Sequence, residues 1–293
     1  IRIENLPTHF GPMGLCTRGT ASGRQVEFTP PKRTPPKRIV LHLPESRRPV
    51  GAVPGVELAI RSPQTKPWDF ATVVKLYSAE AAALFQPIPG LVEFPLDVPP
   101  APDACLPLDL KPAANTDPFT APFGVSKPGK FLFTGMPVGR KTVAGVPFEI
   151  IDPAKNSGRG LVVLHSPRAP KDRPWPTQVE IPVRAQGKRL FFLGNVHGWA
   201  SDDPGKGPWG AVAEYVIRYA DGQQQVVPLI TGRTADEWTA SPSAAEAAVG
   251  LRGDPWHLNV LGVTLRPVAI DSILFRDLGT PAAPVLAGVT VEK

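Results

Sequence analysis

An all-β protein of two antiparallel β-sandwich domains, the second a jelly roll, is the fold this sequence predicts. Three observations carry that prediction. The 38 prolines are spread along all 293 residues. Proline fixes φ and removes a backbone donor, so it suits short strands joined by rigid loops and disfavours helices and central strands. Apolar residues also recur at every second position in short runs bounded by Pro, Gly and Ser. Finally, Asp-Gly stands between two β-rich runs in RYADGQQQVV, the signature of a type I′ hairpin turn. An α-helical or Rossmann-type protein is argued against on the same grounds.

Taken in order, the first candidate strands are RQVEFTP (24–30), RIVLHLP (38–44), GVELAIRS (55–62) and TVVKLYS (72–78). In the second of these, Ile39, Leu41 and Leu43 share one face, with Val40 and His42 on the other. AEAAALF (79–85) has the composition of one short helical turn, and LVEFPLDV (91–98) reads as a strand. Residues 99–124 are dense in proline and lack periodicity, so they read as a linker or a strap laid over the surface. The expected division is a sandwich over 1–112, a Pro-rich linker or strap over 113–129 and a jelly roll over 130–293.

The second part is more regular. Strands are expected at KFLFTG (130–135), VPFEIID (146–152), GLVVLHS (160–166), TQVEIPV (177–183) and KRLFFLGNV (188–196). The hairpin follows at 211–230, and further strands at WHLNVLGVTL (256–265), IDSILFRDL (270–278) and VLAGVTVEK (285–293). Along the hairpin's first arm, Val212, Glu214, Val216 and Arg218 lie opposite Ala211, Ala213, Tyr215, Ile217 and Tyr219. Helical turns in this part are plausible only in TADEWTASPSAAEAAV (234–249), capped by Thr234 or Ser243. Short strands at regular spacing with turn residues between them point to a sandwich or jelly roll.

Charge and cysteine content narrow the function classes. A net charge of +6 falls in short basic clusters beside prolines, as in PPKRTPPKRIV (30–40), with no basic helix or RNP-type strand. Nucleic-acid binding is therefore not expected, whereas attraction to an acidic polysaccharide would use the same charges. No run approaches the ~18–20 apolar residues of a membrane helix, so no membrane partner is expected. Cys16 and Cys105 either close one long disulfide loop or are two free thiols. Starting at Ile1 without a leader, the chain reads as a processed piece of something longer.

The succession GVPFEIIDPAKNSGRGLVVL, KRLFFLGNVHGW, AEYVIRYADGQQQVVPLITGR and DSILFRDLGTPAAPVLAGVTVEK resembles jelly-roll accessory domains of large secreted bacterial glycoside hydrolases. Carbohydrate-binding modules of the type related to the NPCBM domain are among them. The opening ENLPTHFGPMG, with RIVLHLP after it, resembles the β-sandwich that follows the catalytic barrel in such enzymes. The resemblance implies a non-catalytic region whose catalytic domain lies upstream. It also implies a polysaccharide or oligosaccharide partner and a secreted, periplasmic or cell-surface location. It fixes no site residue.

Candidate site residues come instead from the stretch GNVHGWASDDPGKGPWG (194–210), too broken by glycine to be core. A sugar offers an apolar C–H face and a rim of hydroxyls, which aromatic rings and polar side chains match. Trp199 and Trp209 supply platforms; Asn195, His197, Asp202 and Asp203 supply polar groups. The competing reading makes these tryptophans plugs of an open sandwich end. GRTADEW (232–238) and RGDPWHLN (252–259) bring Arg233, Asp236, Trp238, Asp254, Trp256 and His257 to the same end if their strands neighbour 191–196. Arg233 and Trp238 join the ligand candidates, whereas Trp256, leading straight into a strand, is expected in the core. RGD also spells a cell-adhesion tripeptide, its flank stiffened by Pro255 and Trp256. No organic cofactor is expected. A structural calcium ion is a candidate at Asp202 and Asp203 or at Asp152 and Asn156, and turn formation explains the same residues.

Catalysis has little support, since no GxSxG elbow, Walker loop or HExxH motif is present. A carboxylate pair of Asp202 with Glu214 or Asp236, and a lyase set of His197, Tyr215, Arg218 and Tyr219, have the residue types without any spacing that demands them.

Overall fold

The structure is a computed structural model. It describes five strands within residues 1–86 and then 87–120, 123, 132–167, 169, 174–198, 211–239, 242 and 244–293. By contacts the chain gathers into two compact units, Ile1–Gln86 and Pro87–Lys293. Both are all-β, and the described residues contain no α-helix.

In the first unit, β1 (Arg2–Leu6), β2 (Met13–Thr20) and β3 (Gly23–Thr29) form an antiparallel sheet. β4 (Val40–Leu43) and β5 (Glu57–Ile60) pair in parallel, a departure from the purely antiparallel expectation. Residues 44–56 between them are long enough for the crossover that a parallel pair requires. The candidate strand at 72–78 and helical turn at 79–85 lie outside the described residues.

The second unit contains β6 (Cys105–Pro107), β7 (Gly139–Val143), β8 (Val146–Ile150), β9 (Val162–Val163), β10 (Gln178–Ala185) and β11 (Arg189–His197). After these come β12 (Ala211–Tyr219), β13 (Gln224–Ile230), β14 (Ala248–Arg252), β15 (His257–Thr264), β16 (Ile270–Asp277) and β17 (Ala283–Glu292). One sheet runs β10-β16-β12-β13 and the other β14-β15-β11-β17-β6, with β9 also on β17. Apart from the β12–β13 and β14–β15 hairpins, successive strands from β10 onward cross between the sheets, and this interleaved order with all ladders antiparallel is that of a jelly roll.

Two cores flank the larger sheet. Leu190, Phe192, Leu261, Val263, Leu286 and Val289 face the smaller sheet and meet Ile181, Tyr215, Ile217 and Phe275. Phe191, Leu193, Leu258, Val260 and Val285 face the other way, against Val143, Val146, Phe148 and Ile150 of the β7–β8 hairpin. Burial on both sides explains why β11, β15 and β17 are apolar runs without alternation. The Phe192 and Tyr215 rings stack between the sheets at 3.8 Å and 1°. A bulge between Leu193 and Gly194 shifts β17 by one residue. Gly194 is required there, because a Cβ would lie 2.4 Å from the Val285 carbonyl oxygen.

Several elements differ from expectation for identifiable reasons. Residues 91–98 form only a single bridge, Leu91 to Val263, since Pro95 has no donor to continue a ladder. Around 133–136 the chain turns instead, Met136 donating to the Phe133 carbonyl at 2.9 Å; Lys130 and Phe131 are not among the described residues. Residues 87–116 lie on the second unit as a strap: β6 pairs with β17, and Leu108 and Leu110 are buried in the first core. The 219–223 turn has only Gly222 at positive φ, +81°. Gly222 donates to Tyr219 O at 2.9 Å, so this is a type I turn closed by a left-handed glycine, not type I′. β7 escapes the sequence pattern because Arg140, Lys141 and Thr142 face solvent. Cys16 and Cys105 are free thiols.

Gly194→Ala is expected to cost about 1–3 kcal/mol through backbone overpacking. At ~2–4 °C per kcal/mol for a domain this size, a melting curve should fall by several degrees.

Candidate functional site

The expected helical turns at 234–249 are replaced by something that organises one whole rim of the jelly roll. β11 and β15 stay paired as far as Gly194 and Asn259 and then part. Residues 236–238 enter the gap. Val196 donates to the Asp236 carbonyl at 3.0 Å, Trp238 donates to the Val196 carbonyl at 2.9 Å, and His257 donates to the Trp238 carbonyl at 2.7 Å. Backbone donors spent on two flanking strands are not free to close helical turns. The insertion also draws β14, which begins at Ala248, along β15.

Asn195 seals the wedge. Its Oδ1 accepts from the Asp236 N–H at 2.6 Å and its Nδ2 donates to the His257 carbonyl at 3.2 Å, all in the interior. Behind it, the Asp236 carboxylate is fully buried. It accepts from Asn259 Nδ2 at 2.8 Å and faces His257 Nε2 at 3.4 Å. The loop's other end is clamped by Arg233, which binds Glu246 bidentately at 3.0 and 2.7 Å. Thr234 accepts from Ile230 N–H and donates to the Pro228 carbonyl, both at 2.8 Å.

Aromatic rings cap the same rim. Trp238 is fully buried against Phe133 and Phe123, at centroid distances of 4.4 and 5.0 Å. Its indole N–H donates to His197 Nδ1 at 2.9 Å, and the imidazole stacks on Phe123 at 4.0 Å and 10°. Burial takes the His197 pKa down to about 4, and Nδ1, already accepting a hydrogen bond, has no room for a proton. Glu237 lies 3.9 Å away, but its other carboxylate oxygen holds Thr239 through N–H and Oγ1. Trp256, also buried, donates to the Thr134 carbonyl at 2.9 Å.

Of the sequence candidates, Asn195, His197, Arg233 and Trp238 do converge on one rim, as do Asp236, Asp254, Trp256 and His257. The first four are occupied by the protein itself as wedge, stack, clamp and plug. Trp199, Asp202, Asp203 and Trp209 lie outside the described residues, which resume at Ala211 after Gly198. Asp152 accepts from Ala154 N–H as the cap of a short 3-10 turn, and Asn156 donates to the Lys111 and Arg159 carbonyls, so turn formation accounts for both. Among the described residues no group of three or more His, Cys, Asp or Glu side chains comes together around a cation. Tyr215 lies in the core with its hydroxyl's pKa raised by burial, and Glu214 pairs with Arg276.

An open cleft does lie beside the wedge. It measures about 160 Å³ and is lined by Thr239, Pro242, Arg252, Asp254, Trp256 and His257. Its wall is stiff: Gly253 donates to the Trp256 carbonyl at 2.8 Å, and a Cβ on Gly253 would lie 2.2 Å from the indole nitrogen. Arg252 was not singled out by sequence reasoning. The available signal was its place two residues before Asp254, at the end of a strand paired to β15.

Comparison with protein-family models, curated proteins and solved structures finds no match to this chain.

Two outcomes test this rim. Asn195→Ala leaves the Asp236 N–H and the His257 carbonyl buried and unpaired, at about 1–3 kcal/mol each, a loss measurable by urea unfolding. His197 is neutral when folded and takes up its proton on unfolding below pH 6.5. Stability is therefore full above pH 6.5 and falls as pH drops towards about 4, by about 3 kcal/mol from this group. His197→Gln should flatten that part of the pH profile in a wild-type-minus-variant comparison.

Proposed function

We propose that this chain is a non-catalytic, carbohydrate-binding accessory region of a secreted polysaccharide-active enzyme, its ligand met by loops at one rim of the jelly roll. The observation that carries this reading is the polar cleft of about 160 Å³ at the rim where the 231–239 and 252–257 segments converge. Small-molecule pockets typically measure ~300–1,000 Å³. A cleft this small suits one ring-sized unit of a longer molecule whose remainder stays in solvent. Exposed charges on a rigid turn supply hydroxyl partners, and the segment 199–210, which carries Trp199 and Trp209, follows Gly198 directly in the chain. The occupied state of Asn195, Arg233 and Trp238 makes them supports of the site and shifts ligand contact to the cleft and to residues 199–210.

Affinity electrophoresis of the whole chain against a panel of immobilised glycans tests the reading. One glycan is expected to retard it. Asp254→Ala, Trp199→Ala and Trp209→Ala should each weaken that retention about tenfold, the scale of one charge-assisted hydrogen bond, with an unchanged melting temperature. Retardation by no glycan would make the chain a domain-bridging module, and release of reducing ends would make it an enzyme.

A further inference from the structure

We infer that the rim cleft selects a sugar unit carrying a carboxylate, a uronate within a polysaccharide; this rests on the carbohydrate-binding reading above. Arg252 and Asp254 both line the cleft and are both exposed. Neither side chain has an ion pair or hydrogen bond among the described residues. The other charged groups of this rim are engaged. Arg233 is held by Glu246, Glu237 by Thr239, and Asp236 by Asn259 and His257. An exposed cation and an exposed anion, two residues apart and without partners, are thus presented on a turn that Gly253 and Trp256 lock in place.

The chemistry of the pair limits the ligand. A guanidinium binds a carboxylate through two parallel N–H bonds, and a carboxylate such as Asp254 accepts from neighbouring hydroxyls. A single arginine balances a single negative charge. A sulfate-dense polymer would bring several charges to a cleft with one free guanidinium and an adjacent carboxylate. Repulsion from Asp254 then acts against it. One carboxylate and several hydroxyls on one ring describe a uronate. The net charge of +6 favours approach of such a polyanion.

The experiment compares retention of the whole chain in gels containing polygalacturonate or alginate, their methyl-esterified forms, a neutral glucan, and dextran sulfate, a polyanion without uronate. Esterification keeps the sugar and removes the charge. Wild type should be retained by a polyuronate about tenfold or more strongly than by its ester, the preference shrinking as salt screens the contact. Arg252→Gln should abolish that preference, and Arg252→Lys, charged but without the fork, should restore only part of it. Equal retention by the acidic and esterified polymers, or by the neutral glucan, would overturn the uronate assignment and leave carbohydrate binding standing. Retention by dextran sulfate alone would overturn it in favour of diffuse charge attraction. No retention by any polymer would remove both readings. The ester comparison uses wild-type protein, so it decides even if a variant fails to fold.

Discussion

Where β11 and β15 separate beyond Gly194 and Asn259, three residues from a distant loop take over their hydrogen bonds, and the rim of the jelly roll is built on that substitution. Without residues 236–238, Val196 and His257 would present unpaired backbone groups to an apolar interior, at a cost comparable to a lost hydrogen bond for each. The wedge also carries its own consequences. It buries the Asp236 carboxylate, which must then be met by Asn259 and His257. It turns Trp238 inward, where the indole needs a partner for its N–H and finds His197. Asp236, Asn259, His257 and His197 are therefore explained by the wedge before any ligand is invoked.

The same logic bears on what was legible from sequence. The strands of the second unit were readable wherever a face is solvated or the run is fully apolar, because burial writes directly into hydrophobic periodicity. β7 was not, since its exposed Arg140, Lys141 and Thr142 resemble a loop. The 234–249 segment was misread for a deeper reason. Its alanines favour helix locally, but its backbone donors are claimed by strands from far along the chain, and no local pattern records that demand. The convergence of 195–197, 233–238 and 252–257 followed correctly from supposing that their strands neighbour 191–196. The role of each residue did not, because a buried arginine clamp and a ligand-binding arginine have the same letter.

Burial on two faces gives the large sheet its importance. A sheet that met only its partner sheet would alternate and leave its outer face in water. Here the β7–β8 hairpin and the aromatic residues Phe123, Phe133, Trp175, Trp238 and Trp256 close that face. The outer layer is thus continuous with the rim: Phe133 touches both Trp238 and Trp256, and Trp256 anchors to Thr134. Packing forces in the second core and the orientation of the 252–257 turn are in this way parts of one rigid body.

Rigidity of that kind matters most for groups that have no partner of their own. An exposed arginine or aspartate on a mobile loop loses side-chain and backbone freedom when it binds, and the ordering cost offsets much of a single contact. On the 252–257 turn the backbone portion is already fixed: β14 pairs with β15 on one side, Gly253 is closed onto Trp256, and His257 is tied to Trp238. Only the side-chain rotamers of Arg252 and Asp254 remain to be ordered. The buried network and the exposed pair are therefore one design in two parts. The interior hydrogen bonds fix the backbone of the turn, and the unpaired charges of Arg252 and Asp254 are held where that backbone puts them.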